Sequence, residues 1–297
     1  MKEEFKQARI RKDRNFDGNF FFGVTTTGIF CRPSCPAPVA REENVVYFPD
    51  MFTALEQHFR PCLRCRPDIH VDYYNGNAAG TLIVQAALKL IYDGYLNDHS
   101  VTELAEKLSI SDRHLRKMFK ENLGIPPVKI ARYHRAMFAR KLLTFSDRPV
   151  TDIAFASGFG SLRQFNQVFR EIFGVAPSSV RKDSLPEETD AGCTTLLLPY
   201  AGPLGFHRII DFLKLRRIKE VEEVTENGYA RTFRTRQSQG YFTVRDNPGN
   251  SALELKIYCD NIQCCMEIYN RVRKMFDLNN DFVHINEKFR ADRLLSS

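Results

Sequence analysis

The chain has 297 residues, a formal net charge of +7 and hydrophobic residues at 43% of its positions. This length is too great for one ordinary core and predicts two or three domains of about 100 residues each, of which we expect three. No stretch approaches the roughly 20 apolar residues of a membrane span, and the first residues lack the apolar run of a secretory signal. We therefore expect no membrane partner and a cytoplasmic location.

The positive charge is concentrated in the middle of the chain. Residues 79–186 contain 16 Lys and Arg against 10 Asp and Glu, whereas residues 1–78 contain 11 against 10 and residues 187–297 contain 16 against 16. A basic segment of this kind predicts a polyanion partner, although a basic surface can also serve solubility alone. Charge needs a motif beside it before it indicates a function.

Four of the eight cysteines lie close together near the N-terminus, with the spacing C-x3-C, then 26 residues, then C-x2-C. In a reducing compartment such paired cysteines bind metal more often than they form disulfides. Two thiolate pairs on separate turns can converge on one tetrahedral ion, and we predict a single Zn²⁺. From spacing alone, a purely structural site is favoured over a reactive one. The predicted ligands are Cys31, Cys35, Cys62 and Cys65.

The sequence segments around these cysteines resemble the methylphosphotriester-accepting domain of the Ada family. They read FDG at residues 16–18, GVTTTGIFCRPSCP at residues 23–36 and FRPCLRCRP at residues 59–67. The resemblance covers roughly residues 14–70, and it implies that Cys31 is both a zinc ligand and the methyl acceptor. The expected reaction is an irreversible, single-turnover transfer of a methyl group from DNA to this thiolate.

The same resemblance implies contacts between this domain and the DNA backbone. In the family an arginine often occupies the position that Pro38 fills here, and we expect Arg41 to substitute for it. Phosphate contacts position a protein on the duplex without reading its sequence. The residues expected to make them are Thr27, Arg32, Arg41 and Arg60.

The basic middle segment contains an internal repeat. VTELA at residues 101–105 returns as VTDIA at residues 150–154, and FKE at residues 119–121 returns as FRE at residues 169–171. Apolar residues at helical spacing predict a helix, a turn and a second helix in each copy. The residues predicted to face inward are Leu104, Ala105, Leu108, Leu115, Met118 and Phe119 in the first copy, and Leu162, Phe165, Phe169 and Ile172 in the second.

The outward faces of the two second helices carry the side chains that contact bases and phosphates. A single amphipathic helix pair more often has only a solvated polar face, but the duplication and the local charge favour DNA. The segment resembles the AraC-type tandem helix-turn-helix over roughly residues 82–182, with a linker helix at residues 128–144. The predicted contacts are Ser111, Arg113, His114, Arg116 and Lys117, then Ser161, Arg163, Gln164, Asn166, Gln167 and Arg170.

The last third of the chain predicts an α+β domain. A strand is expected at residues 196–200, a helix at 206–215, a turn at 246–250, a strand through 253–257 and a closing helix from Ile262 to Phe276. The remaining cysteines lack paired spacing and are expected to be ordinary buried thiols rather than a second metal site. They are Cys193, Cys259, Cys264 and Cys265.

Short sequence motifs in this region resemble the N-terminal domain of AlkA-type 3-methyladenine DNA glycosylases. They are LPY at residues 198–200 with PL at 203–204, GYF at 240–242 and FDL at 276–278. The helix-hairpin-helix segment with the catalytic aspartate of that family is missing, so we expect no glycosylase activity. The motif PCHR of the guanine-alkyl acceptor domain is also missing, so we expect repair to be confined to phosphotriesters.

Together these patterns predict a multidomain chain with a small α+β zinc domain at residues 1–76, an all-α tandem helix-turn-helix domain at 77–184 and an α+β domain with an antiparallel sheet at 190–290. The predicted function is a bacterial, nucleoid-associated regulator that accepts a methyl group and then activates alkylation-repair genes, with double-stranded DNA and RNA polymerase as partners. Two alternatives stay open: a regulator whose zinc is purely structural, and a non-catalytic part of a 3-methyladenine glycosylase.

Overall fold

The structure is a computed structural model that describes residues 2–62, 64, 65, 67, 82–146, 148–181, 193–200, 204–236, 238–278 and 289. The chain divides into two compact units, Met1–Arg132 and Tyr133–Ser297. In this described part, no helix is both long and apolar enough to cross a membrane. The predicted domain boundaries at residues 76–77, 184–190 and 290 lie outside the described residues.

The first unit begins with a helix and a small sheet. Its elements are α1 (Lys2–Arg11), β1 (Phe21–Val24), β2 (Ile29–Cys31), β3 (Val45–Phe48), α2 (Met51–Glu56) and β4 (Arg60–Pro61). The strand order is β3-β1-β2-β4, with β1 antiparallel to β2 and β3, and β2 parallel to β4. Gly23 has no space for a side chain, because an added Cβ would lie 2.6 Å from the Phe59 ring. The sheet therefore packs directly on an aromatic core.

Four helices complete this unit: α3 (Leu82–Tyr92), α4 (Tyr95–Asp98), α5 (Val101–Lys107) and α6 (Asp112–Leu123). Leu104, Leu115 and Phe119 are fully buried between them, as the periodicity predicts, whereas Leu108 is only partly buried. One hydrophobic core includes sheet residues such as Phe30 and helix residues such as Phe119. The small sheet and the first helix-turn-helix copy therefore share a core.

Helix α7 (Pro127–Phe145) contains the predicted linker segment. The second unit continues with α8 (Val150–Ala156) and α9 (Leu162–Phe173). Phe165 and Phe169 are fully buried, but the prediction that Leu162 faces inward is wrong, since it is 37% exposed, and Ile172 is only partly buried. Leu162 is the first residue of α9, where the core has not yet closed over the helix, and Val168 and Phe173 fill the interior instead.

The rest of the second unit is a sheet with two helices. Its elements are β5 (Cys193–Pro199), α10 (Phe206–Leu215), β6 (Glu222–Val224), β7 (Gly228–Arg234), β8 (Gln239–Asn247), β9 (Ala252–Cys259) and α11 (Cys265–Met275). The order is β5-β9-β8-β7-β6, and every pair is antiparallel. Three predicted bounds need correction. The strand expected at 196–200 is Cys193–Pro199. Asp246 and Asn247 still belong to β8, so the turn is only Pro248–Asn250, and a 3-10 turn at Ile262–Cys264 precedes the closing helix.

Candidate metal centre and nucleic-acid interface

The four predicted metal ligands converge in the first unit. Their Sγ atoms all lie within 4.8 Å of one another, and all four side chains are buried. The parallel pairing of β2 with β4 brings them together, because Cys31 ends β2 and Cys62 follows β4, with the Cys62 N–H donating to the Phe30 carbonyl at 2.9 Å. Two cysteine pairs distant in sequence thus leave neighbouring strands at the same end.

The geometry of the four thiols fits a tetrahedral zinc ion. Cys35 Sγ lies 3.8 Å from Cys62 Sγ. A zinc ion with Zn–S bonds of about 2.3 Å places its sulfur atoms about 3.8 Å apart. Backbone bonds hold each pair, since the Cys35 N–H donates to the Arg32 carbonyl at 3.1 Å and the Arg64 N–H donates to Cys62 Sγ at 3.4 Å. An all-sulfur site of this spacing suits Zn²⁺.

The ionisation of the four thiols is coupled. Hydrogen bonds to Cys35, Cys62 and Cys65 raise the pKa of the Cys31 thiol, while hydrogen bonds from Cys31, Cys35 and Cys65 lower the pKa of Cys62. Four buried sulfurs therefore cannot all be thiolates without a cation among them. A divalent ion supplies that charge and displaces the shared protons.

A buried carboxylate supports the first cysteine pair, and the sequence patterns did not single it out. Asp17 accepts hydrogen bonds from the Ser34 N–H at 3.0 Å and the Ser34 hydroxyl at 2.5 Å, and lies 3.6 Å from Arg32 Nε. Burial raises the pKa of Asp17, and the hydrogen bonds from Ser34 and the charge of Arg32 oppose that rise. Asp17 thereby fixes the turn between Cys31 and Cys35. The FDG motif at residues 16–18 was the sequence signal that could have identified Asp17.

Arg9 on α1 is a second supporting residue that sequence reasoning missed. Its side chain is 3% exposed, donates to the Ala40 carbonyl at 2.9 Å and to the Tyr47 hydroxyl at 3.3 Å, and pairs with Glu42. A buried guanidinium with several partners is costly to disturb, because each partner would lose a charged hydrogen bond. It holds the segment that follows the second ligand Cys35 against the sheet.

The four residues expected to contact the DNA backbone differ in exposure. Thr27 and Arg41 are exposed, and Arg41 Nη1 lies 3.8 Å from Glu43. Arg60 is partly buried, and its N–H donates to the Gly28 carbonyl at 2.7 Å. Arg32 faces Asp17, and its Nε and Nη1 atoms are buried with no hydrogen-bond partner in the described part of the chain. Arg32 is therefore the one of the four with buried, unused donors.

The predicted interface on α6 is exposed but internally paired. Ser111 accepts from the His114 N–H at 3.2 Å and so caps the helix. Arg116 donates to both carboxylate oxygens of Asp112 at 2.7 and 3.2 Å, and Lys117 Nζ lies 3.7 Å from Glu121. Arg113 and His114 are exposed beside them. Much of the positive charge on α6 is thus balanced on the helix itself.

The predicted interface on α9 forms a shallow cavity of about 640 Å³. Ser161 caps the helix by accepting from the Gln164 N–H at 3.2 Å, and Gln164 also accepts from the Gly160 N–H at 3.3 Å. Arg163 and Arg170 pair with no acidic side chain in the described residues. The cavity is lined by Leu162, Arg163, Asn166, Gln167 and Arg170.

The fold and the centre define a class of protein: a four-cysteine zinc domain followed by a helix-turn-helix repeat. Family models agree with this order, since residues 4–68 match the metal binding domain of Ada, residues 104–183 a helix-turn-helix domain and residues 195–297 the AlkA N-terminal domain. All three resemblances drawn from the sequence are thereby confirmed, as is the prediction of one Zn²⁺ held in the four-cysteine cluster.

Individual relatives carry the same combination. The bifunctional transcriptional activator/DNA repair enzyme AdaA of Bacillus subtilis is 32% identical over 190 residues, which cover 64% of this chain and 87% of that protein. The chain belongs to this Ada family of bifunctional transcriptional activators and DNA repair enzymes.

A longer relative matches nearly the whole chain. The probable bifunctional transcriptional activator/DNA repair enzyme AlkA of Mycobacterium tuberculosis is 32% identical over 98% of this chain, which spans 60% of that protein's length. A crystal structure of the methylated N-Ada/DNA complex is 34% identical and covers 46% of this chain and 98% of that one, with a TM-score of 0.23, which is too low to support an argument about shape.

Proposed function

We propose that the protein transfers a methyl group from a DNA methylphosphotriester to Cys31, and that the methylated form binds promoter DNA and activates alkylation-repair genes. The observation that carries this proposal is the convergence of four buried thiols, with Cys31 among them, in the part of the chain that matches the metal binding domain of Ada. RNA polymerase would be contacted in the activated state, in the bacterial cytoplasm at the nucleoid.

The reaction is a displacement at carbon. The Cys31 thiolate attacks the methyl carbon in line with the ester oxygen, an S–C bond forms, and the C–O bond breaks with its electron pair going to the leaving phosphodiester. A zinc ion held by Cys31, Cys35, Cys62 and Cys65 would keep the Cys31 sulfur deprotonated at neutral pH. No proton is transferred, and the thioether product has no easy route back to thiolate. Each molecule therefore reacts once.

Hydrogen bonding favours Cys31 over Cys35 and Cys62 as the nucleophile. Cys62 Sγ accepts a bond from the Arg64 N–H, and Cys35 accepts one from the Ala37 N–H. Such bonds withdraw electron density from sulfur and lower its nucleophilicity. In the described residues, Cys31 interacts with the other three thiols but with no backbone N–H. Once those thiols are ionised, its lone pairs are less engaged than those of Cys35 or Cys62.

Charge selects the substrate and sets the switch. Four thiolates around a divalent ion carry a net charge of about −2, which repels an ordinary phosphodiester but not a neutral triester. Methylation of one thiolate removes a negative charge, so repulsion between this domain and the duplex falls and affinity rises. We propose that Thr27, Arg32, Arg41 and Arg60 hold the backbone there, with Arg32 the nearest of them to Cys31 in sequence.

Promoter recognition would come from the exposed faces of α6 and α9. Arg, Gln and Asn side chains at the start of a recognition helix suit major-groove base edges, and Lys suits phosphates. Phe30, the neighbour of Cys31, belongs to the same core as Phe119 of α6. This shared core supports a link between the state of the acceptor and the first reading helix.

The deciding experiment measures where a methyl group goes. Zinc-loaded protein is incubated with methylphosphotriester duplex DNA and analysed by intact mass and by peptide mapping. We expect one methyl group per chain on Cys31 in the wild type, none in Cys31→Ser or Cys31→Ala, and full transfer in the control Cys193→Ser, which removes a buried thiol elsewhere. If zinc and DNA binding are intact and no methyl is transferred, the purely structural zinc regulator becomes the function.

A further inference from the structure

A second group of thiols converges in the second unit, independently of the acceptor site. Cys259 ends β9, Cys264 ends the following 3-10 turn, and Cys265 begins α11. Their three Sγ atoms lie within 4.8 Å of one another. Their spacing, C-x4-C-C, is not a paired zinc motif, which is why the sequence predicted ordinary buried thiols. The structure brings the three sulfur atoms together, which this spacing does not predict.

Burial gives this cluster one closed side and one open side. Cys264 is 2% exposed and Cys265 is fully buried, whereas Cys259 is partly exposed. The fourth cysteine of this unit, Cys193, lies outside the cluster and contacts the Thr195 hydroxyl instead. An ion held by the three thiols would therefore have protein on one side and access to water on the side of Cys259.

The segment between β9 and α11 is fixed before any ion binds. The Asp260 carboxylate accepts from the Ser238 hydroxyl at 2.5 Å and from the Gln239 N–H at 3.1 Å. The Asn261 N–H donates to the Ser238 hydroxyl oxygen at 3.2 Å, and the Asn261 side chain accepts from the Gln263 N–H at 3.0 Å. Ligands held in place in this way bind metal without a large ordering cost.

The start of α11 and a nearby cation favour anionic sulfur. Arg148 is the basic residue whose charge acts on Cys259. Cys264 and Cys265 lie at the N-terminus of the eleven-residue helix α11, where the helix dipole stabilises negative charge. Three thiolates around a divalent cation carry a net charge of −1, which Arg148 offsets.

We propose that Cys259, Cys264 and Cys265 form a second metal site for one thiophilic divalent ion, Zn²⁺, with a water molecule in the open fourth position. Three sulfur ligands with an open position is a coordination that zinc accepts, and soft thiolates select it over the hard cations Mg²⁺ and Ca²⁺. The ion would link the end of the interior strand β9 to the start of α11. Its role is separate from methyl transfer.

The first test counts metal in the full chain, purified under reducing conditions with zinc and freed of loosely bound ions. We expect two zinc ions per wild-type chain, one in Cys259→Ser and one in the double variant Cys264→Ser, Cys265→Ser. The matched control Cys193→Ser should keep two. Because Cys259 is partly exposed, its variant disturbs the core least, and circular dichroism checks that each variant is folded. One ion in the wild type, or two in Cys259→Ser, overturns the proposal.

Cobalt distinguishes this site from the four-cysteine site by its spectrum. We expect the sulfur-to-metal charge-transfer absorbance of the Co²⁺-substituted wild type to correspond to seven Co–thiolate bonds. In Cys259→Ser we expect it to fall to the absorbance of the four bonds at the four-cysteine site. Non-reducing peptide mapping tests the alternative that these thiols form a disulfide. If the freshly purified wild type contains a disulfide between Cys259 and either neighbour and takes up no second ion after reduction, the cluster is a redox pair and not a metal site.

Discussion

The two helix-turn-helix copies have the same backbone geometry and buried positions but different exposed side chains. Helices α6 and α9 each contain twelve residues, begin after a serine cap and end at a glycine with positive φ, 70° at Gly124 and 69° at Gly174. Equivalent positions fill both cores, since Phe119 and Phe169 are fully buried. Backbone geometry and core packing have thus been repeated almost unchanged.

The exposed positions of the two copies are chemically different. Arg116 and Lys117 on α6 are paired with acids on the same helix, while the equivalent Asn166 and Gln167 on α9 are uncharged amides in an open cavity. Amides form paired hydrogen bonds with adenine edges, whereas self-paired cations contribute mainly to backbone attraction. We therefore predict that α9 reads base sequence and that α6 mainly positions the protein on DNA.

The largest effect should come from the equivalent buried rings of the two copies. We expect Phe119→Ala and Phe169→Ala each to destabilise its own helix pair by about 3–5 kcal/mol, because each removes a fully buried ring. Hydrogen exchange in the full chain would report the local opening of α6 and α9. Phe155→Ala, at a ring that is 39% exposed, serves as the control with a small effect. If only one of the two variants loses exchange protection in its own copy, the two buried rings are not equivalent.

The next effect concerns DNA recognition. We expect Asn166→Ala and Gln167→Ala each to cost about 1–3 kcal/mol on a duplex selected by the wild-type protein and to relax preference for one base, with the salt dependence unchanged. Lys117→Ala should weaken all sequences equally and lower the salt slope. Fluorescence anisotropy at several salt concentrations measures both, with the exposed Lys219→Ala as a control. The opposite pattern, with α6 setting base preference, would reverse the assignment of the two helices.

A smaller effect should follow from releasing the self-paired arginine of α6. We expect Asp112→Asn to raise DNA affinity by up to about 1 kcal/mol and to steepen the salt slope by about one, because Arg116 is freed and a negative charge is removed. The matched control is Asp211→Asn, which breaks a similar pair with Lys214 on α10. Unchanged binding by Asp112→Asn would mean that α6 does not approach phosphates.

The smallest effect is a difference in pH-dependent stability between the first helices of the two copies, α5 and α8. Hydrogen bonds from the Ser100 N–H and hydroxyl lower the pKa of Glu103, whereas Pro149 gives α8 no side-chain cap. A lowered pKa in the folded state adds stability above the unfolded pKa, and this stability is lost as pH falls through the folded value. We expect acid to reduce exchange protection in α5 but not in α8, and Ser100→Ala to abolish that difference. Equal acid sensitivity of both helices would contradict it.

Local patterns predicted much of this molecule. The zinc ligands followed from paired spacing, and helix Phe206–Leu215 has the predicted bounds because its apolar period is regular. Leu162 was misplaced because periodicity does not show where the core begins to cover a helix. The Asp112–Arg116 pair has the i, i+4 spacing of a helix ion pair, but outward charges were treated as available to DNA.

Other features depend on contacts that no local pattern encodes. Arg9 is buried because α1 packs it against Tyr47 and Glu42, which are more than 30 residues away in sequence. The FDG motif includes Asp17 but does not show that Ser34 is its partner. Cys259 meets Cys264 and Cys265 only because a fixed turn folds the end of β9 onto the start of α11. The predicted residue contacts with DNA, the domain boundaries and the role of Cys31 stay predictions.

The caps at both ends of α6 and α9 have a consequence for evolution. Ser111 and Ser161 fix where each helix starts, and Gly124 and Gly174 fix where each one stops. The register of the outer face is therefore set by the caps at the two ends of each helix, and single changes on the exposed face between them alter stability little. A lineage could rewrite the residues between the caps one at a time, shifting its set of target genes while the duplicated scaffold persists.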